Sequence, residues 1–244
     1  MRQRRAVRED CTAAAAPVTR RAVLGGLLLP LAASVSAPAA ARGGDDVLLV
    51  DPSLPVATAW TNQEVHGRTD YGNVMLDGRP FIRAAAAGGR HVASALMRPA
   101  DVPLAAHPWL EWTWRVDRVQ PSADIRRRDG DDYAAGIFLL FDRPSWFRRE
   151  VPTLAYVWTS ERTPPGEVVR NPYHPDAVRC IVVHSGAAGS GSVIAERRNI
   201  VADYRRAFAA DPPPAIRAVA LWTDNDQTGE PAEAYYGPVA ACAG

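Results

Sequence analysis

Asp224-Asn225-Asp226-Gln227-Thr228-Gly229 sets oxygen-bearing side chains at alternate positions ahead of a glycine. The first half of a calcium loop presents its ligands at this spacing, which here makes Asp224, Asp226 and Thr228 the metal ligands. An EF-hand needs a bidentate glutamate at the twelfth position, which is Tyr235; Glu233 is close but out of register. The segment therefore reads in two ways. It is a calcium site of a type suited to a sandwich, or an Asx-rich turn whose side chains cap backbone amides. No cofactor is expected other than that calcium.

Carboxylates elsewhere suggest a second chemistry. Asp132 and Glu196, with Asp224, offer acids from separate segments, and two carboxylates facing each other across a cleft are how glycoside hydrolysis is built. The plainer reading of Asp131-Asp132 is a turn before a strand, with Asp132 bonded to an arginine. Tyr156 and Trp158 stand two apart and so share one strand face. Aromatic faces stack on sugars, but a strand tryptophan also packs a core. Trp146, Tyr173 and Trp222 are further aromatic candidates. Arg198 either clamps an anionic ligand or pairs with Asp203 or Asp132. The predicted ligand-binding set is Tyr156, Trp158, Arg198, Asp224 and Asp226.

Other chemistries are excluded. The chain has no lysine, so a Walker A phosphate loop, a pyridoxal Schiff base and a Ser-Lys hydrolase are all ruled out. No H-E-x-x-H, C-x-x-C or G-x-S-x-G occurs, and the histidines have no metal-ligand spacing.

Thr19-Arg20-Arg21 followed by an apolar run from Ala22 to Val35 is a twin-arginine export signal. Gly25, Gly26 and Pro30 interrupt the run, which is short for a membrane span. Cleavage is expected after Ala39 or Ala41, leaving residues 42–244 as one domain in the periplasm or outside the cell. The partner implied by the signal is the twin-arginine translocation machinery. Residues 1–42 hold seven arginines and two acids; without them 21 arginines face 25 acids, a net charge of −4. A mildly acidic domain argues against nucleic acid as a partner. Cys180 and Cys242 remain, and in an oxidising compartment they make a disulfide or stay two separate thiols. The bridge would close a loop of about 60 residues, worth roughly 3–4 kcal/mol on the chain-entropy model.

The elements that must position these groups are mostly strands. Short apolar runs between Pro, Gly and Asp clusters predict a mostly-β, single-domain sandwich of jelly-roll type with one short helix. Asp77-Gly78 predicts a hairpin between Val74-Met75-Leu76 and Phe81-Ile82-Arg83. Along Trp109 to Val116, Leu110, Trp112, Trp114 and Val116 face one way and Glu111, Thr113 and Arg115 the other. Ser94 to Met97 is a short strand stopped at Pro99, and Tyr133 to Phe141 is a central strand, apolar on both faces. Leu154 to Thr159, Arg179 to Ser185, Val193 to Asn199, Ala215 to Thr223 and Tyr235 to Val239 complete the strands. Gly186 to Ser192 reads as a hairpin loop and residues 240–244 as a mobile tail. The helix is predicted over Val201 to Ala209, stopped by Pro212-Pro213-Pro214. Segments 118–132, 142–152 and 160–177 are long loops, where function concentrates.

Several blocks in order resemble the bacterial domain-of-unknown-function family 3047. They are Ser94-Ala95-Leu96, Pro108 to Val116, Asp131-Asp132-Tyr133-Ala134-Ala135, Tyr156-Val157-Trp158, Glu196 to Tyr204, and Thr223 to Gly229. The resemblance implies no established activity, and at the level of fold alone it points to sandwiches like those that bind carbohydrate. Gly136 stands where the resemblance implies an arginine, and Val193-Ile194 where it implies a tryptophan. The function expected first is noncatalytic binding of a glycan or other cell-envelope ligand. The alternatives are a glycan hydrolase or lyase using Asp132, Glu196 and Asp224, and a structural envelope protein.

Overall fold

The computed structural model describes residues 45–143 and 150–244. The export signal expected over residues 1–41, and Trp146, lie outside the described residues. Among the described residues, thirteen strands form two sheets. The first holds β1 (Val47–Val50), β3 (Asp70–Leu76), β4 (Arg79–Ala86), β6 (Trp109–Arg118), β11 (Ile194–Asn199) and β13 (Ala232–Cys242). The second holds β2 (Thr61–His66), β5 (Ala93–Pro103), β7 (Ala135–Leu140), β8 (Thr153–Thr159), β9 (Val168–Arg170), β10 (Val178–Ser185) and β12 (Ala215–Trp222). Their spatial orders are β11-β6-β13-β4-β3, with β1 also on β13, and β2-β5-β12-β7-β8-β10-β9. All pairings are antiparallel except β8 with β10. Successive strands repeatedly cross between sheets, which gives the jelly-roll-like sandwich its two layers.

Side-chain alternation explains the core. In β6, Leu110, Trp112, Trp114 and Val116 are all buried between the sheets, while the residues between them are partly exposed. Trp112 stacks on Tyr156 with centroids 5.2 Å apart, and Trp114 meets Trp158 edge-on at 5.9 Å. The strands β7 and β8 are buried on both faces, because loops cover the outer face of the seven-stranded sheet. There Ile125, Tyr133 and Val151 pack with Phe138, Leu140, Ala155, Val157, Val169 and Cys180 of the sheet.

The Asp77-Gly78 hairpin forms between β3 and β4, with φ of 49° and 73°, the left-handed pair that a two-residue turn requires. The described residues include two short α-helices: α1 (Val56–Ala59) and α2 (Ile200–Phe208), the latter being the predicted helix. Asn199 caps α2 by accepting from the Ala202 amide at 2.8 Å, and Ala209 ends it in the left-handed region.

Three local expectations are corrected. The strand at Ser94 does not stop at Pro99 but runs to Pro103. β2 pairs β5 only over Ala93–Met97, so the proline lies beyond that pairing, beside the register shift between Ile216 and Ala218 of β12. Residues 240–242 are not a mobile tail; all three pair with β6, and Ala240 and Ala241 also pair with β1 on the other side. Gly186 to Ser192 is not a hairpin loop either, because it carries the chain from one sheet to the other.

Candidate functional site

The outer face of the seven-stranded sheet carries a groove of about 510 Å³. Alternation on four adjacent strands supplies its floor: Val65 of β2, Met97 of β5, Trp222 of β12 and Phe138 of β7. Small residues make the floor concave. Ala95 and Ala220 lie in it, and a Cβ at Gly136 would come within 2.6 Å of the Phe138 ring. Phe138 therefore lies across the space that a side chain at Gly136 would need, so an arginine there would have to displace it. Phe138 and Trp222 rings pack tilted at 5.6 Å. The walls come from the long loops, which bring Tyr173, His174 and Glu150 to the rim, and from the Asp224–Gly229 turn, which brings Gln227.

A cluster of acids closes one end. Asp132, Asp224 and Asp226 place carboxylate oxygens within 4.8 Å of one another. Asp132 accepts the Gln227 and Thr228 amides at 3.0 and 2.7 Å. Asp224 accepts the Tyr133 amide at 2.7 Å and the Trp222 indole N–H at 2.6 Å. Asp226 accepts the Gln227 side-chain amide at 2.7 Å. Burial, and then the Asp132 charge, hold the Asp224 carboxyl well above the usual range, and the same two causes raise Asp226.

Asp131 lines the groove and accepts the Tyr133 hydroxyl at 2.6 Å and the Asn171 amide at 2.7 Å. Burial outweighs those two bonds and pushes its carboxyl up to about 7. Because the unfolded value is near 3.8, the folded state holds a proton between about pH 4 and 7 that the unfolded chain has released. Asp131 thus favours the fold at low pH, and this contribution is lost as pH rises through 7. Asp131→Asn removes the titration. The stability of the variant relative to the parent is expected to rise by about 1.4 kcal/mol per pH unit across that window. Urea unfolding at pH 4.5, 6 and 8 reads the slope; parallel profiles would assign the proton elsewhere.

The structure sorts the sequence candidates. It brings Asp224 and Asp226 together, and adds Asp132 to them as third acid in place of Thr228, whose hydroxyl accepts the Glu230 amide at 3.2 Å. Asp132 is bonded to backbone amides rather than to an arginine. Glu196 is not part of the cluster: it sits on β11 in the other sheet and bonds His184 at 2.6 Å. The Asp132, Glu196 and Asp224 constellation is therefore split. Tyr156 and Trp158 are fully buried between the sheets, their polar atoms bonded to Asp203 and the Gly186 carbonyl, so neither offers a face to a ligand. Arg198 holds Asp203 through two bonds of 2.9 and 2.7 Å, the structural pairing.

The expected disulfide is absent: Cys180 and Cys242 are both free and buried. They lie in different sheets, Cys180 against the Tyr133 hydroxyl on the outer face of one and Cys242 at the end of β13 in the other. Burial pushes the Cys180 thiol up to about 12. Sequence reasoning missed Phe138, Asn171 and Asp131 as groove residues. The period of two along β7 sets Phe138 opposite the core residues Ile137 and Leu139 and was the one usable signal.

A family model described as "Protein of unknown function (DUF3047)" matches residues 58–240. No curated protein matches. Among solved structures, the chain is similar to the family 11 carbohydrate-binding module of the cellulosomal cellulase Lic26A-Cel5E of Clostridium thermocellum. That likeness has a TM-score of 0.45 and 10% identity, over 84% of this chain and 96% of that one. It is also similar to the family 30 carbohydrate-binding module of the cellulosomal cellulase Cel9D-Cel44B of Clostridium thermocellum. Here the TM-score is 0.46 and the identity 9%, over 80% of this chain and 95% of that one.

Proposed function

This chain belongs to the DUF3047 family of proteins of unknown function, and from the site itself we propose that the groove on the seven-stranded sheet binds a carbohydrate without cleaving it. The observation that carries the reading is the pairing of aromatic faces with carboxylates in one concavity. Trp222 and Tyr173 line it beside Asp131, Asp224 and Asp226. A sugar ring has apolar C–H faces that pack on aromatic rings and equatorial hydroxyls that donate to carboxylates. The volume, about 510 Å³, is within the range of small-molecule sites.

Binding rather than hydrolysis is favoured by how the acids are held. Five of the six oxygens of Asp132, Asp224 and Asp226 already accept bonds from the protein. Such bonds fix the loops and line the groove with acceptors. The twin-arginine sequence supports a place outside the cytoplasm, where the ligand would be a cell-envelope or environmental glycan. No helix among the described residues is long and apolar enough to cross a membrane.

The test is thermal melting of the protein with a panel of β-glucan, xylan and peptidoglycan oligosaccharides. A ligand of the folded state stabilises by about 2.7 kcal/mol at a hundredfold excess over its Kd. A shift with no reducing ends released supports binding; a shift with product release overturns the noncatalytic reading.

The acid cluster favours a second reading, in which calcium bridges Asp132, Asp224 and Asp226. Three carboxylates this close need a proton or a cation to relieve their repulsion. If calcium is held, adding EDTA lowers the melting midpoint and calcium restores it, and Asp226→Asn removes the response. A midpoint indifferent to both leaves the cluster as a proton-sharing turn.

A further inference from the structure

The groove on the seven-stranded sheet is lined by four carboxylates, those of Asp131, Glu150, Asp224 and Asp226, and by no arginine. Residues 43–244 carry 21 arginines and 25 acids, so this one-signed lining comes from placement and not from composition. The one histidine in the lining, His174, is paired with Glu150 at 3.0 Å on the rim.

Elsewhere the protein matches its carboxylates with arginine: Asp203 with Arg198, Glu233 with Arg83, Asp117 with Arg115 and Glu111 with Arg197. Asp131, Asp132, Asp224 and Asp226 make no ion pair among the described residues. Their partners are backbone and side-chain amides, the Tyr133 hydroxyl and the Trp222 indole. Burial and the Asp132 charge push Asp224 and Asp226 upward, and no arginine opposes them. Asp226 is half-buried, and its Oδ1 accepts no bond among the described residues, so it is the acceptor left for a ligand.

A neutral saccharide offers such carboxylates hydroxyl donors but no counter-charge. A protonated amine offers three donors and the charge together. The aromatic lining suits the same group. Trp222 donates its indole N–H to Asp224 at 2.6 Å, which enriches the ring in electrons and strengthens the pull of its face on a cation. That Asp224 carboxylate lies within 4.8 Å of an Asp226 oxygen, so a sugar ring stacked on the indole has a ring substituent within reach of Asp226. Tyr173 already holds one cation, the Arg128 guanidinium 5.3 Å over its ring, and that guanidinium is not part of the lining. We infer that the groove selects amino sugars, whose protonated amine is taken up by the carboxylates beside Trp222. The inference rests on the carbohydrate-binding reading and names the substrate class within it.

The probe is the β-1,4-linked trimer of glucosamine. Cellotriose and the N-acetylated trimer are the neutral matches, since the three differ only in the substituent on the second ring carbon. Each is titrated into the whole protein by calorimetry at about pH 6.5, below the usual amino range, with EDTA present so that no metal ion competes. The glucosamine trimer is expected to bind at least tenfold tighter than either match, and its advantage is expected to shrink as salt rises. Asp226→Asn keeps the shape and an acceptor for Gln227 while removing the charge, and is expected to narrow the advantage to under about threefold. The salt series on the parent protein reads the same charge without a substitution. Trp222→Ala is expected to weaken whichever of the three bind. Equal affinity for the three trimers, an advantage indifferent to salt, or an advantage intact in Asp226→Asn each overturns the inference and leaves the carbohydrate-binding reading standing. If no saccharide binds, both fall.

Discussion

Trp222→Ala is expected to weaken glycan binding in the groove on the seven-stranded sheet by about 2 kcal/mol, roughly 30-fold in Kd. Trp222 stands at the end of β12 with its indole only partly covered, so its ring supplies both floor and contact area. Two effects are combined in that loss. The ring face goes, and the Asp224 carboxylate loses an N–H bond of 2.6 Å. Trp222→Phe keeps a ring and loses only the donor, so it is expected to fall between the parent and the alanine variant. Calorimetry with the glycan that raises the melting midpoint reads both. If alanine binds as tightly as tryptophan, the ligand does not lie on this floor.

The largest effect on stability is expected at Asp132. Asp132→Ala should cost about 2–3 kcal/mol, measured by urea unfolding. Asp132 is fully buried, and its carboxylate ties the Gln227 and Thr228 amides to the segment before β7. Its loss leaves two amides without their acceptor. Charge-assisted bonds of this kind contribute about 1.5–3 kcal/mol each. The opposing effect is relief of repulsion on Asp224 and Asp226, both of which Asp132 helps push upward. We expect the lost bonds to win, because the two amides belong to the turn that carries the groove wall. For a domain of this size the change lowers the melting midpoint by about 5–10 °C. A variant as stable as the parent would mean that relief of charge outweighs the bonds.

These outcomes also show where sequence reasoning succeeds and where it stops. The alternation in β6 was readable because polar residues mark its exposed side, so Trp112 and Trp114 fell on the core side. Tyr156 and Trp158 were placed on one face of β8, as their spacing requires, but the face could not be chosen. Every residue of that strand is buried, so no polar neighbour distinguishes the core from the outer face. The Asp224–Gly229 motif was legible as a local pattern of oxygens, whereas its third acid, Asp132, lies 92 positions away and joins only through folding. Glu196 failed for the converse reason: it resembles a site acid by type, yet β11 carries it to the other sheet. Asp131 read only as part of a turn before a strand, with no sign of which way its side chain would face. It does precede β7 in irregular chain, where no period fixes side-chain direction, and it reaches the groove.

The central place of β13 bears on how the polypeptide is made. It is flanked by β6 on one side and by β1 and β4 on the other, yet the ribosome delivers it after every other strand of the sandwich. Until then β1, β4 and β6 carry unpaired edges, a template for pairing with other chains. The sandwich thus closes only after translation has passed its last strand. A product truncated before β13 leaves the middle of a sheet empty rather than trimming its edge, and the edges of β1, β4 and β6 stay open in a nascent chain until β13 has emerged.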